Sequence, residues 1–414
     1  MTGKRVLLLV ICILLALSTA AMFTACDDKP SAPQTKGAVY EEFYTPTKNK
    51  AMILIPGLMA SSLYKLDDGK PVWGVDGFLN LADEYSKSLD SINRQYPDGS
   101  DPSSPNHEEY SKKIARALQD IIVKYLSCDE DGTPVTALRV ANMHSSEKFG
   151  SFEGMGYLFD ILFKNYRNQY DIIVWQYDWR DSNVKAASQL ERFINQCGYE
   201  KVQFYTHSMG GIVVANYLKS AANREKVELF MPFGAPFLGS MDAVSNLFSS
   251  AALDALKDFD FLFGDVDLTE VTRSMPSIYE LLPFPQYFTT PTYDGGNSPI
   301  FIEDEAVTYE RFYEYLCSLD WTKKSDGSLK PFVKGLLDYQ SGFFKKASYD
   351  SASKRYYEDP NGQYTVHVTQ LVPTEYIVGV GVPTIVNVGI VDGELDPDGY
   401  GYDYTEFDAR GSIY

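Results

Sequence analysis

The chain has 414 residues, 44% hydrophobic and 22% charged. That is globular usage with enough apolar material for a sizeable core, so disorder is not the default. A formal charge of −19 repels phosphate backbones and anionic bilayers, which argues against a nucleic-acid partner and against membrane adsorption by charge alone.

The first 25 residues read as a processing signal. Lys4 and Arg5 precede an apolar run over residues 6–23, and Thr24 and Ala25 stand before Cys26. Small residues directly before a cysteine match a bacterial lipobox, with the lipid on Cys26. Phe23 is unusual three positions before that cysteine. A plain secretory signal cut near Ala25, or an uncleaved anchor, fits the same residues. All three readings put the body outside the cytoplasm, and the first makes the chain a membrane-anchored lipoprotein. Residues 26–46 form a polar tether, and residues 47–414 form the folded domain. Cys128, Cys197 and Cys317 are an odd number at long spacings. They suggest no disulfide framework and no metal site.

Along the chain, residues 51–55 (AMILI) form a short apolar run ending at Pro56-Gly57, as a strand buried on both faces would. Residues 67–135 are a polar, turn-rich insertion with one predicted helix at 108–126, its apolar stripe on Ile114, Leu118, Ile121, Ile122 and Tyr125. Helix and strand signals then alternate: helix 152–166, strand 170–175, helix 183–197, strand 201–206, helix 211–222, strand 227–233. This alternation predicts an α/β fold, a mostly parallel sheet with helices on both faces. Residues 240–350 lose it and read as an inserted cap or lid rich in Phe, Tyr and Leu. Strand character returns at 364–371 and 376–388.

Thr206-His207-Ser208-Met209-Gly210-Gly211 lies between a predicted strand and a predicted helix. That is the context of a nucleophile elbow, where small neighbours let the turn close around a serine. Thr206 stands where the usual pattern has glycine. The helix start also turns its positive end toward a developing oxyanion. Pro56-Gly57-Leu58 follows an early strand, as the second oxyanion-hole turn does in such enzymes. By that logic the two donors are the backbone N–H groups of Leu58 and Met209, the residue after the nucleophile. Chemistry of this kind needs no metal and no organic cofactor.

Six segments in order carry a family resemblance: ILIPGLMASSL at 53–63, YDWR at 177–180, THSMGG at 206–211, GAPFLGS at 234–240, SMPSIYELLP at 274–283 and YIVGVGVPT at 376–384. Together they resemble lecithin:cholesterol acyltransferase-like proteins over roughly residues 50–390. The resemblance implies an α/β-hydrolase fold with a lid and a membrane-contacting insertion. It also implies cleavage or transfer of acyl chains through an acyl-enzyme on Ser208, with lipid or another acyl ester as substrate.

One part of the pattern departs. The family's triad aspartate sits in a GDG-type turn after the segment resembling YIVGVGVPT, and its histidine follows later still. Of the four histidines, His107, His144, His207 and His367, none follows the candidate acids Asp392, Asp396, Asp398 and Asp408. The expectation is that the triad base and acid lie beyond Tyr414, the sequence being truncated at its C-terminus. The alternative is an inactive surface lipoprotein that binds a lipid or glycan. YDWR reads as a structural loop with Arg180 on Asp178, or as a head-group site. Trp73 reads equally as lipid contact or as core of the insertion.

Overall fold

The computed structural model describes residues 38–40, 44–73, 75–140, 153–249, 269–289, 299–379, 384–396 and 401–403. Ala38–Tyr40 is a short first strand, β1. Lys50–Ile55 (β2) forms the centre of the molecule because it is apolar at almost every position. Successive side chains of a strand point to opposite faces. Accordingly Ala51, Ile53 and Ile55 join one buried cluster, and Met52 and Leu54 another. A strand apolar on both faces must be covered on both.

After β3 (Leu63–Lys65), β4 (Pro71–Trp73) and β5 (Leu138–Val140) come the partners of β2. These are β6 (Asp171–Val174), β7 (Lys201–His207) and β8 (Val227–Phe233). All pair parallel, in the order β6-β2-β7-β8. Residues 373–377 continue the sheet beside β8: Phe230 N donates to Pro373 O at 2.8 Å and Ile377 N to Pro232 O at 2.9 Å.

Helices cover both faces. Counting helices along the chain, α1 is Val75–Gln95, α2 His107–Leu126, α3 Glu153–Tyr166, α4 Asn183–Gln196, α5 Met209–Tyr217 and α6 Ala221–Glu225. Helix α3 places Met155, Phe159 and Leu162 on Met52 and Leu54. Helices α4 and α5 take the other face. Helix α5 is apolar all round and every residue of it is buried, as expected of a central helix. Helix α4 buries one stripe, Ala186, Ala187, Leu190 and Ile194, and its N-cap Ser182 accepts from Val184 N.

The predicted order of elements from 153 to 233 therefore holds, with one difference. The helix expected at 211–222 starts at Met209 and breaks after Tyr217, and α6 resumes at Ala221. In the first insertion the structure has two long helices where the sequence predicts one. Helix α1 carries apolar residues at Leu81, Tyr85, Leu89 and Ile92, but charged and serine residues fill most of its other positions. It is held by polar bonds to α2, Tyr110 OH on Asn93 Oδ1 at 2.9 Å and Tyr125 OH on Glu84 Oε1 at 2.7 Å. Strands β1, β3, β4 and β5 form a small mixed sheet beside them, in the order β1-β5-β3-β4.

In residues 240–350, Met241–Phe248 and Tyr309–Ser318 are helices, and strands β9 (Ile300–Ile302) and β10 (Glu305–Ala306) lie between them. Residues 250–268 of the expected cap lie outside the described residues. The predicted strand at 364–371 is split. β11 (Phe344–Asp350), β12 (Arg355–Glu358) and β13 (Tyr364–His367) form a three-stranded sheet, and Val368–Leu371 is a 3₁₀ turn. The stretch expected at 376–388 is likewise divided between the pairing at 373–377 and β14 (Thr384–Val391), which pairs with β9. Among the described residues no helix is long and apolar enough to cross a membrane. The acylation candidate Cys26 lies outside them. Cys128, Cys197 and Cys317 are free thiols.

Candidate active site

Strand β7 ends at His207, α5 begins at Met209, and Ser208 is the one residue between. Its φ of 49° and ψ of −126° lie in a region residues with a Cβ seldom enter, at a cost of about 1–3 kcal/mol. Two backbone bonds hold it there: Ser208 N donates to Phe233 O at 3.0 Å, and Gly211 N donates to Ser208 O at 2.9 Å.

Small residues close the elbow. A Cβ on Gly210 would stand 2.5 Å from the carbonyl oxygens of Ile55 and Pro56. A Cβ on Gly57 would stand 2.9 Å from Ser208 Cβ. The Pro56-Gly57-Leu58 turn is thus packed directly on Ser208. The departure at Thr206 also has a physical reason: the room it needs is made across the turn, where a Cβ on Gly211 would come within 3.3 Å of Thr206 Oγ1 and 2.5 Å of Ala235 Cβ.

Met209 is the first residue of α5, so its N–H has no carbonyl of its own helix to donate to. Gly57 to Ala60 form a tight turn, Ala60 N donating to Gly57 O at 3.3 Å. Met59, third in that turn, has φ 63°, a left-handed value that favours glycine. The Leu58 N–H meets no acceptor among the described residues.

This turn is braced from outside. Trp73 Nε1 donates to Met59 O at 2.6 Å, and Trp179 Nε1 to Ser61 O at 3.1 Å. Ser62 N donates to Gln176 Oε1 at 2.9 Å, and Tyr177 N to Ser61 Oγ at 3.2 Å. Sequence reasoning missed Ser61, Gln176 and the role of Trp73. Nothing in their spacing shows that three separate segments converge on one loop. Trp73 is 5% exposed and belongs to the core of the insertion, not to a lipid-facing surface.

The YDWR loop is structural. Arg180 and Asp178 are 0% and 1% exposed. Arg180 Nε donates to Asp178 Oδ1 at 2.9 Å and Nη2 to Oδ2 at 2.7 Å, while Nη1 takes the carbonyls of Tyr125 and Thr136. The guanidinium pins the first insertion to the sheet and, fully buried there, offers no donor to a head group.

The histidines fare differently. His107 Nδ1 lies 2.8 Å from Gly99 O in the insertion. His367 is buried among Phe237, Phe343 and Phe344, with Nδ1 2.8 Å from Thr369 Oγ1. Burial pushes its pKa down to about 3, with Lys219 adding to the effect. It caps the 3₁₀ turn at Val368. His207 packs under the Gly57 turn, and burial lowers its pKa. His144, Asp398 and Asp408 lie outside the described residues. Asp392 is the exposed left-handed corner of the β14–β15 hairpin (β15, Glu394–Leu395), its N–H on Glu303 at 2.9 Å. Asp396 follows that hairpin, its N–H on Gly389 O.

A strained serine between a parallel strand and a helix, in a sheet covered on both faces, defines an α/β-hydrolase. Within that class the chain belongs to the lecithin:cholesterol acyltransferase family, whose model matches residues 133–407. No curated relative matches the chain. Among solved structures, a crystal structure of the Tle4–Tli4 complex is similar at 15% identity and a TM-score of 0.35, over 75% of this chain and 74% of that one. The lipase BlEst2 of Bacillus licheniformis overlaps at 23% identity and 0.21, over 30% of this chain and 46% of that one. Lipase B of Aspergillus fumigatus overlaps at 10% and 0.23, over 66% and 42%. The family match, not these partial overlaps, carries the assignment.

Proposed function

We propose that this member of a lipid-acting family is an exported serine hydrolase or acyltransferase working through an acyl-enzyme on Ser208. The observation that carries the reading is the conformation of Ser208. A positive φ on a side-chain-bearing residue is costly, and here the Gly57 turn, the Phe233 carbonyl and the start of α5 all enforce it. In the proposed reaction Ser208 Oγ attacks the ester carbonyl and its proton leaves to a general base. The C–O double bond opens to an oxyanion between the N–H groups of Leu58 and Met209. Its collapse expels the alcohol, which takes up the proton, and leaves the acyl group on Ser208. Water then gives a hydrolase, or a second alcohol a transferase.

His107 is held in the insertion by Gly99 O, and His367 is buried among Phe237, Phe343 and Phe344, so neither is assigned as the base. The lipid anchor on Cys26 and an extracytoplasmic location complete the proposal, resting on residues 4–26 of the sequence.

The test uses the natural full-length protein, a fluorophosphonate probe and an acyl ester offered below and above its micelle threshold. The expected result is one label, on Ser208, with turnover that jumps on micelle formation. Turnover without that jump would point to a non-lipid esterase. No label and no turnover would leave the inactive binding protein as the better reading.

A further inference from the structure

The turn that carries Leu58 is a strained element, and the structure shows what holds it. Met59 at φ 63° has no glycine to make that value easy. Its carbonyl is fixed by the indole N–H of Trp73 at 2.6 Å. Two residues on, the carbonyl of Ser61 is fixed by the indole N–H of Trp179 at 3.1 Å. The two indoles pack on each other, ring centroids 5.1 Å apart and tilted by 60°. Trp73 ends β4 in the first insertion, whereas Trp179 belongs to the loop after β6. Trp179 is 1% exposed, and Arg180 behind it is anchored to Asp178. The turn is therefore clamped between the insertion and the sheet.

We propose that Trp73 and Trp179 are positioning residues for the oxyanion hole, an indole clamp that keeps the Gly57–Ser62 loop in its strained shape with the Leu58 N–H directed at the reacting oxygen. This rests on the assignment of Ser208 as nucleophile and of the Gly57 turn as its oxyanion loop. Neither indole touches substrate in this scheme. Each acts through the peptide it holds. An oxyanion donor is worth most when it needs no reorganisation as charge develops. A loop free to relax from the left-handed Met59 conformation therefore loses transition-state binding while ground-state binding changes little.

The experiment compares wild type, Trp73→Phe and Trp179→Phe in the full-length protein. Phenylalanine keeps an aromatic ring and removes the N–H. The readouts are kcat and KM for a soluble short-chain ester, the inhibition constant of a trifluoromethyl ketone that forms a tetrahedral adduct, and the thermal midpoint. Loss of one clamp bond is expected to lower kcat about 5- to 30-fold, to weaken the ketone by a similar factor, and to leave KM within about twofold. A merely structural role would lower the thermal midpoint while kcat per folded molecule and the ketone constant stayed at wild-type values, and that result overturns the proposal. Trp73 is the informative position should Trp179→Phe fail to fold, since Trp73 lies in the insertion and not behind the sheet. Wild type with no turnover and no label on Ser208 would refute the nucleophile assignment itself, which separates that failure from failure of the clamp.

Discussion

The surroundings of Ser208 and of Arg180 both look like motifs in the sequence, and the structure treats them in opposite ways. Around Arg180 four of the five guanidinium N–H donors are used, in a two-pronged bond to Asp178 and two bonds to backbone carbonyls. Around Ser208 the backbone is strained, the N–H groups of Leu58 and Met209 meet no acceptor among the described residues, and a second strained residue, Met59, stands opposite. A buried polar group built for stability is satisfied, because an unmet donor costs about 1–3 kcal/mol. The site proposed at Ser208 would instead keep donors free for a charge that appears only in the transition state. Satisfaction, more than the presence of charged residues, separates the two.

The largest effect sharpening that contrast is expected at Ser208, the proposed nucleophile. Ser208→Ala should lower turnover of an acyl ester by about 10³-fold or more, with the urea midpoint changed little, since only the hydroxyl oxygen is lost. Retained turnover would falsify the elbow assignment. At the other site the order reverses: Arg180→Met should cost about 3–5 kcal/mol of stability by stranding the Asp178 carboxylate in the interior. Urea denaturation measures it, and adding Asp178→Leu should recover part of the loss. If the single variant costs no more than a surface substitution, the pin between insertion and sheet is not structural.

Between these lies Gly210→Ala. Its Cβ would press on the carbonyl oxygens of Ile55 and Pro56 at 2.5 Å, both backbone atoms that cannot swing away. A loss of about 1–3 kcal/mol is expected, together with a fall in turnover, because the displaced atoms carry the Gly57 turn. Stability lost with turnover per folded molecule unchanged would show that the elbow tolerates the shift.

The smallest effect concerns His367, a polar group kept neutral by burial. Its folded pKa, about 3, lies below the ordinary value near 6.5, so the unfolded chain binds the extra proton first as pH falls. Stability should therefore decline as pH drops from about 6.5 toward 3, with no effect near neutral pH. His367→Gln should flatten that part of the pH profile relative to wild type. An unchanged slope would mean that His367 does not supply it.

Much of this was legible in the sequence. The order of strands and helices from 153 to 233 follows from apolar runs too short for helices, alternating with stripes at helical spacing. The elbow at Ser208 follows from a strand, small residues and a helix in immediate succession. Local pattern suffices there because strand alternation, helix periodicity and the need for glycine near a tight turn are properties of neighbouring residues. The α1 helix carries the same kind of signal, Leu81, Tyr85, Leu89 and Ile92 at helical spacing, and was overlooked among the turn residues on either side of it.

What only the tertiary structure decided concerns residues distant in sequence. Trp73 became a donor to Met59 and a neighbour of Trp179, Arg180 became a pin for the carbonyls of Tyr125 and Thr136, and His367 was removed from candidacy by its aromatic cage. Burial and hydrogen-bond satisfaction depend on what the rest of the chain brings to a residue. The sequence names the residue types able to do chemistry, and packing settles which of them have donors left to do it with.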